Sequence, residues 1–150
     1  MPATAIEVSI LRRESTADSA LALERLAAIG PIVFLRGLRS DDYAVTASTS
    51  SPDLGRLAAA LAAGDDREPA GGGRKTDPRA VARLEALRAE YGADWLIASE
   101  GSVASARACP GWRIICLGPA TDQLDPTRPD HRAHSLLEAA RLIEAAAAFA

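Results

Sequence analysis

The chain has 150 residues, 48% hydrophobic and 25% charged, which is the make-up of one globular domain and excludes both a pair of full catalytic domains and a disordered chain. Its 17 basic and 20 acidic side chains leave a net charge of -3, which argues against a general binder of nucleic-acid backbones. Aromatic residues are only 4%, so any core must be built from Ala, Leu, Ile and Val.

The first apolar run, residues 6–11, alternates Ile6, Val8 and Ile10 with Glu7 and Ser9, a strand-like period of two. Ser15 stands three residues before Asp18, close to a capping box, and Leu23, Leu26 and Ile29 follow at helical spacing. Gly30-Pro31 stops that helix. Residues 32–35 and 43–49 are rich in β-branched side chains and read as strands. The link between them is shorter than the roughly dozen residues a parallel crossover needs, so an antiparallel pairing is expected.

Ser51-Pro52-Asp53 offers an N-cap, a first-turn proline and an acid, with Leu54, Leu57 and Leu61 as the buried stripe and Gly64 as the stop. Residues 64–77, with three consecutive glycines from Gly71 to Gly73, read as a mobile loop. Asp77-Pro78 repeats the cap-plus-proline start. Val81, Leu84, Leu87 and Tyr91 then line one helical face before Gly92. Residues 95–98 and 113–117 are buried strands, with a short Ala-rich helix at 102–108 between them. A polar Asp/Pro loop runs to Asp130, and a long Ala/Leu helix is expected from about 131 to 149.

Strands alternating with helices of this length predict a single α/β domain over 1–150. It would be three-layered and Rossmann-like, with a mostly parallel sheet of four to five strands and one antiparallel hairpin. The place of the 6–11 strand in the sheet order stays open. Residues 1–10 carry no basic stretch leading into a long apolar run, and nowhere do about eighteen apolar residues run together. A cytoplasmic protein, off the membrane, is the expectation.

In an open α/β sheet, ligands bind outside the carboxyl ends of the strands. Ser48-Thr49-Ser50-Ser51 lies where a strand feeds a helix, and its hydroxyls and free amides suit a phosphate or a carboxylate. Capping alone also explains Ser50 and Ser51. Lys75 is the chain's only lysine, just ahead of a helix, and suits a bound phosphate as a point charge; a solvated loop cation is the plainer reading. Arg74 before it rules out a Walker A loop. Glu100, at a strand-to-helix turn, is a candidate oxygen ligand for Mg²⁺ or simply an acid favoured by a helix dipole.

His131 and His134 would share a helix face, either as an acid/base or metal pair or as surface residues. Cys109 and Cys116 stand in no metal-ligand pattern and read as buried small hydrophobes. The sequence holds no GxSxG elbow, HExxH or GxGxxG.

Taken in order, these segments resemble the core of haloacid-dehalogenase-like (HAD) hydrolases over about residues 43–145. Ala44-Val45-Thr46-Ala47-Ser48-Thr49-Ser50 is similar to that family's second motif, whose Ser or Thr holds the phosphoryl group. Lys75-Thr76-Asp77-Pro78 is similar to the third, with Thr76 in place of a proline. Residues 95–117 resemble the fourth motif with its helix, including Ala106-Arg107-Ala108 and Gly111, and 131–143 resembles the closing helix. The resemblance implies a phosphate-binding role for Ser48, Thr49 and Lys75, and Mg²⁺ as cofactor with Glu100 as a displaced ligand.

Family enzymes form an aspartyl-phosphate on a strand-end Asp, with a second Asp two residues later as acid/base. Residues 32–37 carry no Asp, Asp41 and Asp42 are adjacent, and Ala98 and Ser102 fall where metal-binding acids belong. The expectation is therefore a HAD-like fold that binds a small phosphorylated molecule with degenerate catalytic acids. Two other readings stand beside it. One is a non-catalytic binding module whose Ala-rich last helix packs against a second copy in a homodimer. The other is a glycosyltransferase-like subdomain for a nucleotide sugar, suggested by Ser99-Glu100-Gly101-Ser102.

Overall fold

A computed structural model describes residues 3–13, 16–35, 44–47, 78–99, 102–117 and 130–148. In chain order these form β1 (Ala3–Glu7), a 3₁₀ helix (Val8–Arg13), α1 (Thr16–Ile29), β2 (Ile32–Leu35) and β3 (Ala44–Ala47). Next come α2 (Pro78–Tyr91), β4 (Ala93–Ala98), α3 (Val103–Ala108), β5 (Arg113–Leu117), β6 (His131–Ala133) and α4 (Leu136–Ala148). The helix expected at 51–64 and the loop at 64–77 lie outside the described residues. Among the described residues no helix is long and apolar enough to cross a membrane.

The strands form one sheet in the order β3-β2-β1-β4-β5-β6. From β2 to β6 every pairing is parallel, and the edge strand β3 pairs antiparallel with β2. The architecture is the Rossmann-like α/β arrangement, with six strands rather than four to five. Every residue of β1 and β2 is buried, as parallel strands covered on both faces require.

Side-chain alternation sorts the core into two layers. Ile6, Phe34, Trp95, Ile97 and Ile115 face α1 and α4, meeting Leu23, Leu26, Leu136, Ala140 and Ile143. Ala5, Val33, Leu96, Ala98 and Ile114 face α2 and α3, meeting Leu84, Leu87, Val103 and Ala106. Alanines on the second face of the sheet let the helices approach closely, which suits a chain poor in aromatics.

Two expectations are corrected. The N-terminal strand is not 6–11: it ends at Glu7, and the chain tightens into the 3₁₀ helix. Val8, Ile10 and Leu11 are all buried in the layer facing α1 and α4, so the alternation of faces stops at Glu7. That strand takes an inner place, between β2 and β4.

Residues 131–133 are not the start of a helix but β6, pairing Ile115 with His131. Asp130 secures that edge: its Oδ2 accepts the Ile114 N–H at 2.8 Å and its Oδ1 faces Arg107 Nη2 at 2.8 Å. The last helix starts instead after Ser135, whose hydroxyl accepts the Glu138 N–H at 3.1 Å while Glu138 reaches back to the His134 N–H at 3.4 Å.

Burial pushes the Asp130 carboxyl up, but the Arg107 partner and the Ile114 amide outweigh it and hold the group below its ordinary value of 3.8. The stabilisation is therefore present above that value and is lost as pH falls through the lowered one. Asp130→Ala should cost about 1 kcal/mol near neutral pH, a modest figure because both partners are about a third exposed. Urea melts at pH 7 and pH 2.5 check this, with the difference between variant and parent shrinking at the acid end.

Gly111 opens β5 with φ at +98°, and a Cβ there would run into the Arg88 guanidinium. That guanidinium donates from Nε to the Ala93 carbonyl at 3.3 Å and from Nη1 to the Pro110 carbonyl, and lies 5.9 Å from the centre of the Trp112 ring. Arg88 thus ties the end of α2 to the starts of β4 and β5. Gly111→Ala combines an unfavourable backbone with displacement of this tie and should lower stability by about 1–3 kcal/mol in thermal melts.

Candidate functional site at the carboxyl ends of β1 and β4

The connections out of β1 and β4 run in opposite directions. α1 carries the chain from β1 to β2 over one face, and α3 carries it from β4 to β5 over the other. The carboxyl ends of β1 and β4 therefore flank the point where strand order reverses, the usual place for a ligand crevice in such sheets.

β1 ends there on Glu7, level with Leu35 of β2. Ala3 and Ala5 face α2 and α3, so alternation sends Glu7 to the same side, toward the residues that open α3. Ser99, next after β4, donates its hydroxyl to Glu7 Oε2 at 3.0 Å and its backbone N–H to Oε1 at a longer 3.4 Å. The Ser102 and Ser9 hydroxyls are further partners of the same carboxyl. The Ser102 N–H donates to the Ser99 carbonyl at 3.1 Å, closing the turn back on itself. Glu7 and Ser99 are buried, at 8% and 3% exposure.

Burial drives the Glu7 carboxyl above its ordinary 4.5, and the hydrogen bonds from Ser102, Ser99 and Ser9 pull against that without cancelling it. A group so placed holds its proton more tightly than an ordinary carboxyl, and when protonated it can donate to one serine oxygen while accepting from the others. It is poorly suited to act as a free nucleophile.

The sequence singled out other residues for this end of the sheet. Ser48, Thr49, Lys75 and Glu100 lie outside the described residues. β3 runs antiparallel to β2 and ends on Ala47, level with Ile32 at the amino end of β2, so the chain leaves β3 toward Ser48 at the end of the sheet opposite Glu7, and the expected placing of that hydroxyl run at the carboxyl ends of the parallel strands is not supported. His131 and His134 do not share a helix face. His131 opens β6, its ring centre 6.0 Å from that of Trp95, and His134 lies beyond the strand's other end. The stretched spacing of a strand replaces the helical one, so the pair forms no joint site.

Cys109 and Cys116 are both buried, and burial raises the Cys109 thiol, with the Glu85 carboxylate adding to it. Among the described residues no group of three His, Cys, Asp or Glu side chains could hold a metal ion. Glu7 has its oxygens taken by serine donors. The described residues thus do not form an Mg²⁺ site.

At the opposite, amino end of β4 is a depression of about 580 Å³, between Glu85, Arg88, Asp94 and Pro110. Its guanidinium is committed to the Ala93 and Pro110 carbonyls, so it offers an incoming group less than the strand ends do.

In the sequence Glu7 and Ser9 stand only as the polar half of an alternating strand. The available signal was position. In a doubly wound sheet the first strand is commonly an inner one, and an acid at its carboxyl end stands at the crevice. No family model, curated protein or solved structure matches this chain.

Proposed function

We propose that this chain is a HAD-like phosphohydrolase-fold protein that binds a small phosphorylated ligand at the carboxyl end of its sheet, with its catalytic acids replaced. The observation that carries the reading is Glu7-Val8-Ser9 at the end of β1, beside the Ser99–Ser102 turn that follows β4. In the family this strand end bears an Asp and, two residues on, a second Asp. Here the first acid is longer and enclosed by serine hydroxyls, and the second is a hydroxyl.

Two groups are therefore lost to catalysis. Glu7 does not present a free carboxylate oxygen for attack on phosphorus, and Ser9 is too weak an acid to protonate a leaving group as a second Asp would. What the reading keeps is recognition. Lys75, ahead of the helix that leads into β4, supplies a positive charge to the phosphoryl oxygens, whereas Ser48 and Thr49, the donors expected from the resemblance, follow Ala47 at the other end of the sheet and are left out of this site. No step of this reading runs through Mg²⁺.

Thermal melts with inorganic phosphate and with para-nitrophenyl phosphate test it, each with and without Mg²⁺. Binding at a hundred times Kd adds about 2.7 kcal/mol, which raises Tm by roughly 5–10 °C in a chain of this size. Lys75→Ala should remove most of that rise while leaving the melting of the free protein unchanged. Release of para-nitrophenol should stay at the background rate. A flat Tm across the phosphate series would defeat the reading, and brisk Mg²⁺-dependent release would show that the acids are not degenerate.

A further inference from the structure

We infer that Glu7 is a positioning residue that clamps the Ser99–Ser102 turn to the inner strand β1, so that the shape of the crevice depends on the length of this side chain and not on its charge. The inference rests on the proposed site and assigns the enclosed acid a task within it.

The bonds that Glu7 makes join residues 92 positions apart in the chain. They run from the end of β1 to the first residue past β4, on the side of the sheet covered by α2 and α3. The ladder between these two strands has pairings as far as Ile6 with Ile97. Beyond that point, the carboxyl of Glu7 takes over from the backbone in holding the ends together. Each of its oxygens meets Ser99, and the Ser102 hydroxyl completes the bridge to the start of α3. Without it, the two connections that leave on opposite faces would have only backbone pairing one residue back to hold the crevice to one width.

A clamp and a reacting carboxylate respond to substitution in opposite ways. Glutamine keeps the length: its carbonyl oxygen accepts from Ser99, and its NH₂ donates to a serine oxygen. Aspartate keeps the acid but is shorter by one methylene, about 1.5 Å, which breaks hydrogen-bond reach across the strands. A group used for its charge or for attack on phosphorus would tolerate aspartate better than glutamine.

The experiment compares the full-length protein with Glu7→Gln and Glu7→Asp in two measurements. Amide hydrogen exchange reads the clamp without any ligand. Glu7→Gln should leave the Ser99 and Ser102 amides protected as in the parent. Glu7→Asp should speed their exchange about tenfold, the factor that one ordinary hydrogen bond carries, with the β2 amides unchanged as a check on the fold. Titration with inorganic phosphate reads the consequence: Kd within about twofold of the parent for Glu7→Gln, and weakened about tenfold or more for Glu7→Asp. The reverse order, with aspartate tolerated and glutamine not, would overturn the clamp, as would parent-like exchange in both variants. If the parent itself shows no response to phosphate, the proposed function fails, while amide exchange still decides for or against the clamp.

Discussion

Glu7→Ala should be among the most damaging single changes at the ligand end of the sheet, costing about 2–4 kcal/mol and lowering Tm by roughly 5–15 °C. The carboxyl is enclosed, and its removal leaves the Ser99 N–H and several serine hydroxyls facing a void. A buried donor without an acceptor loses its full hydration, which is why truncation costs more here than on a surface. Differential scanning calorimetry of parent and variant at pH 6 measures the effect. A drop of only a degree or two would mean that water enters and satisfies the serines.

The same group makes stability depend on pH in a definite direction. Its folded-state pKa lies above the unfolded 4.5, so the folded chain holds this proton more tightly than the unfolded one. The resulting stabilisation is complete below the unfolded value and is lost as pH rises through the folded value. Glutamine cannot ionise, so Glu7→Gln should match the parent near pH 4, gain on it as pH rises from the unfolded value to the raised folded one, and hold that advantage above it. Urea midpoints across that range read the gap, and a gap that closed with rising pH would contradict the burial of a neutral acid.

Phe34→Ala is the core substitution with the largest expected cost, about 3–5 kcal/mol, or roughly 6–20 °C in Tm. Phe34 is fully buried on β2 and heads the largest enclosed side chains among the described residues. It sits in the layer under α1 and α4, where many neighbours are Ala, Leu or Ile. Short side chains on well-packed helices cannot reach into the space a phenyl ring leaves, so the cavity stays open and its lining loses contacts. Phe34→Leu, which refills most of the volume, should recover the greater part of the loss. Equilibrium urea unfolding of the two variants makes the comparison.

Residues with strong local signals could be placed from the sequence. The helix over Pro78–Tyr91 is announced by the preceding Asp77, by Pro78 at its first position, by Leu84 and Leu87 at helical spacing, and by Gly92, which takes φ of +65° at the stop. β2 and β5 are short β-branched runs between breakers, and the α/β class follows from their alternation with helices. A three-residue β6 of His, Arg and Ala carries no such period. It exists because β5 offers it a ladder and Asp130 holds its entry.

The candidate site divides along the same line. That ligands meet the carboxyl ends of these strands follows from the class of fold, and Ser48, Thr49, Lys75 and Glu100 are drawn from that rule, from the chemistry of helix starts and from the resemblance of their segments. That Glu7 is enclosed, raised in pKa and bridged to Ser99 depends on β1 lying between β2 and β4, a pairing of segments some ninety residues apart. Local sequence specifies which residues can form strands and helices, because caps, periods and breakers act within a few residues. The order of strands, and with it the surroundings of each acid, is set by the packing of whole layers, which short-range signals do not encode.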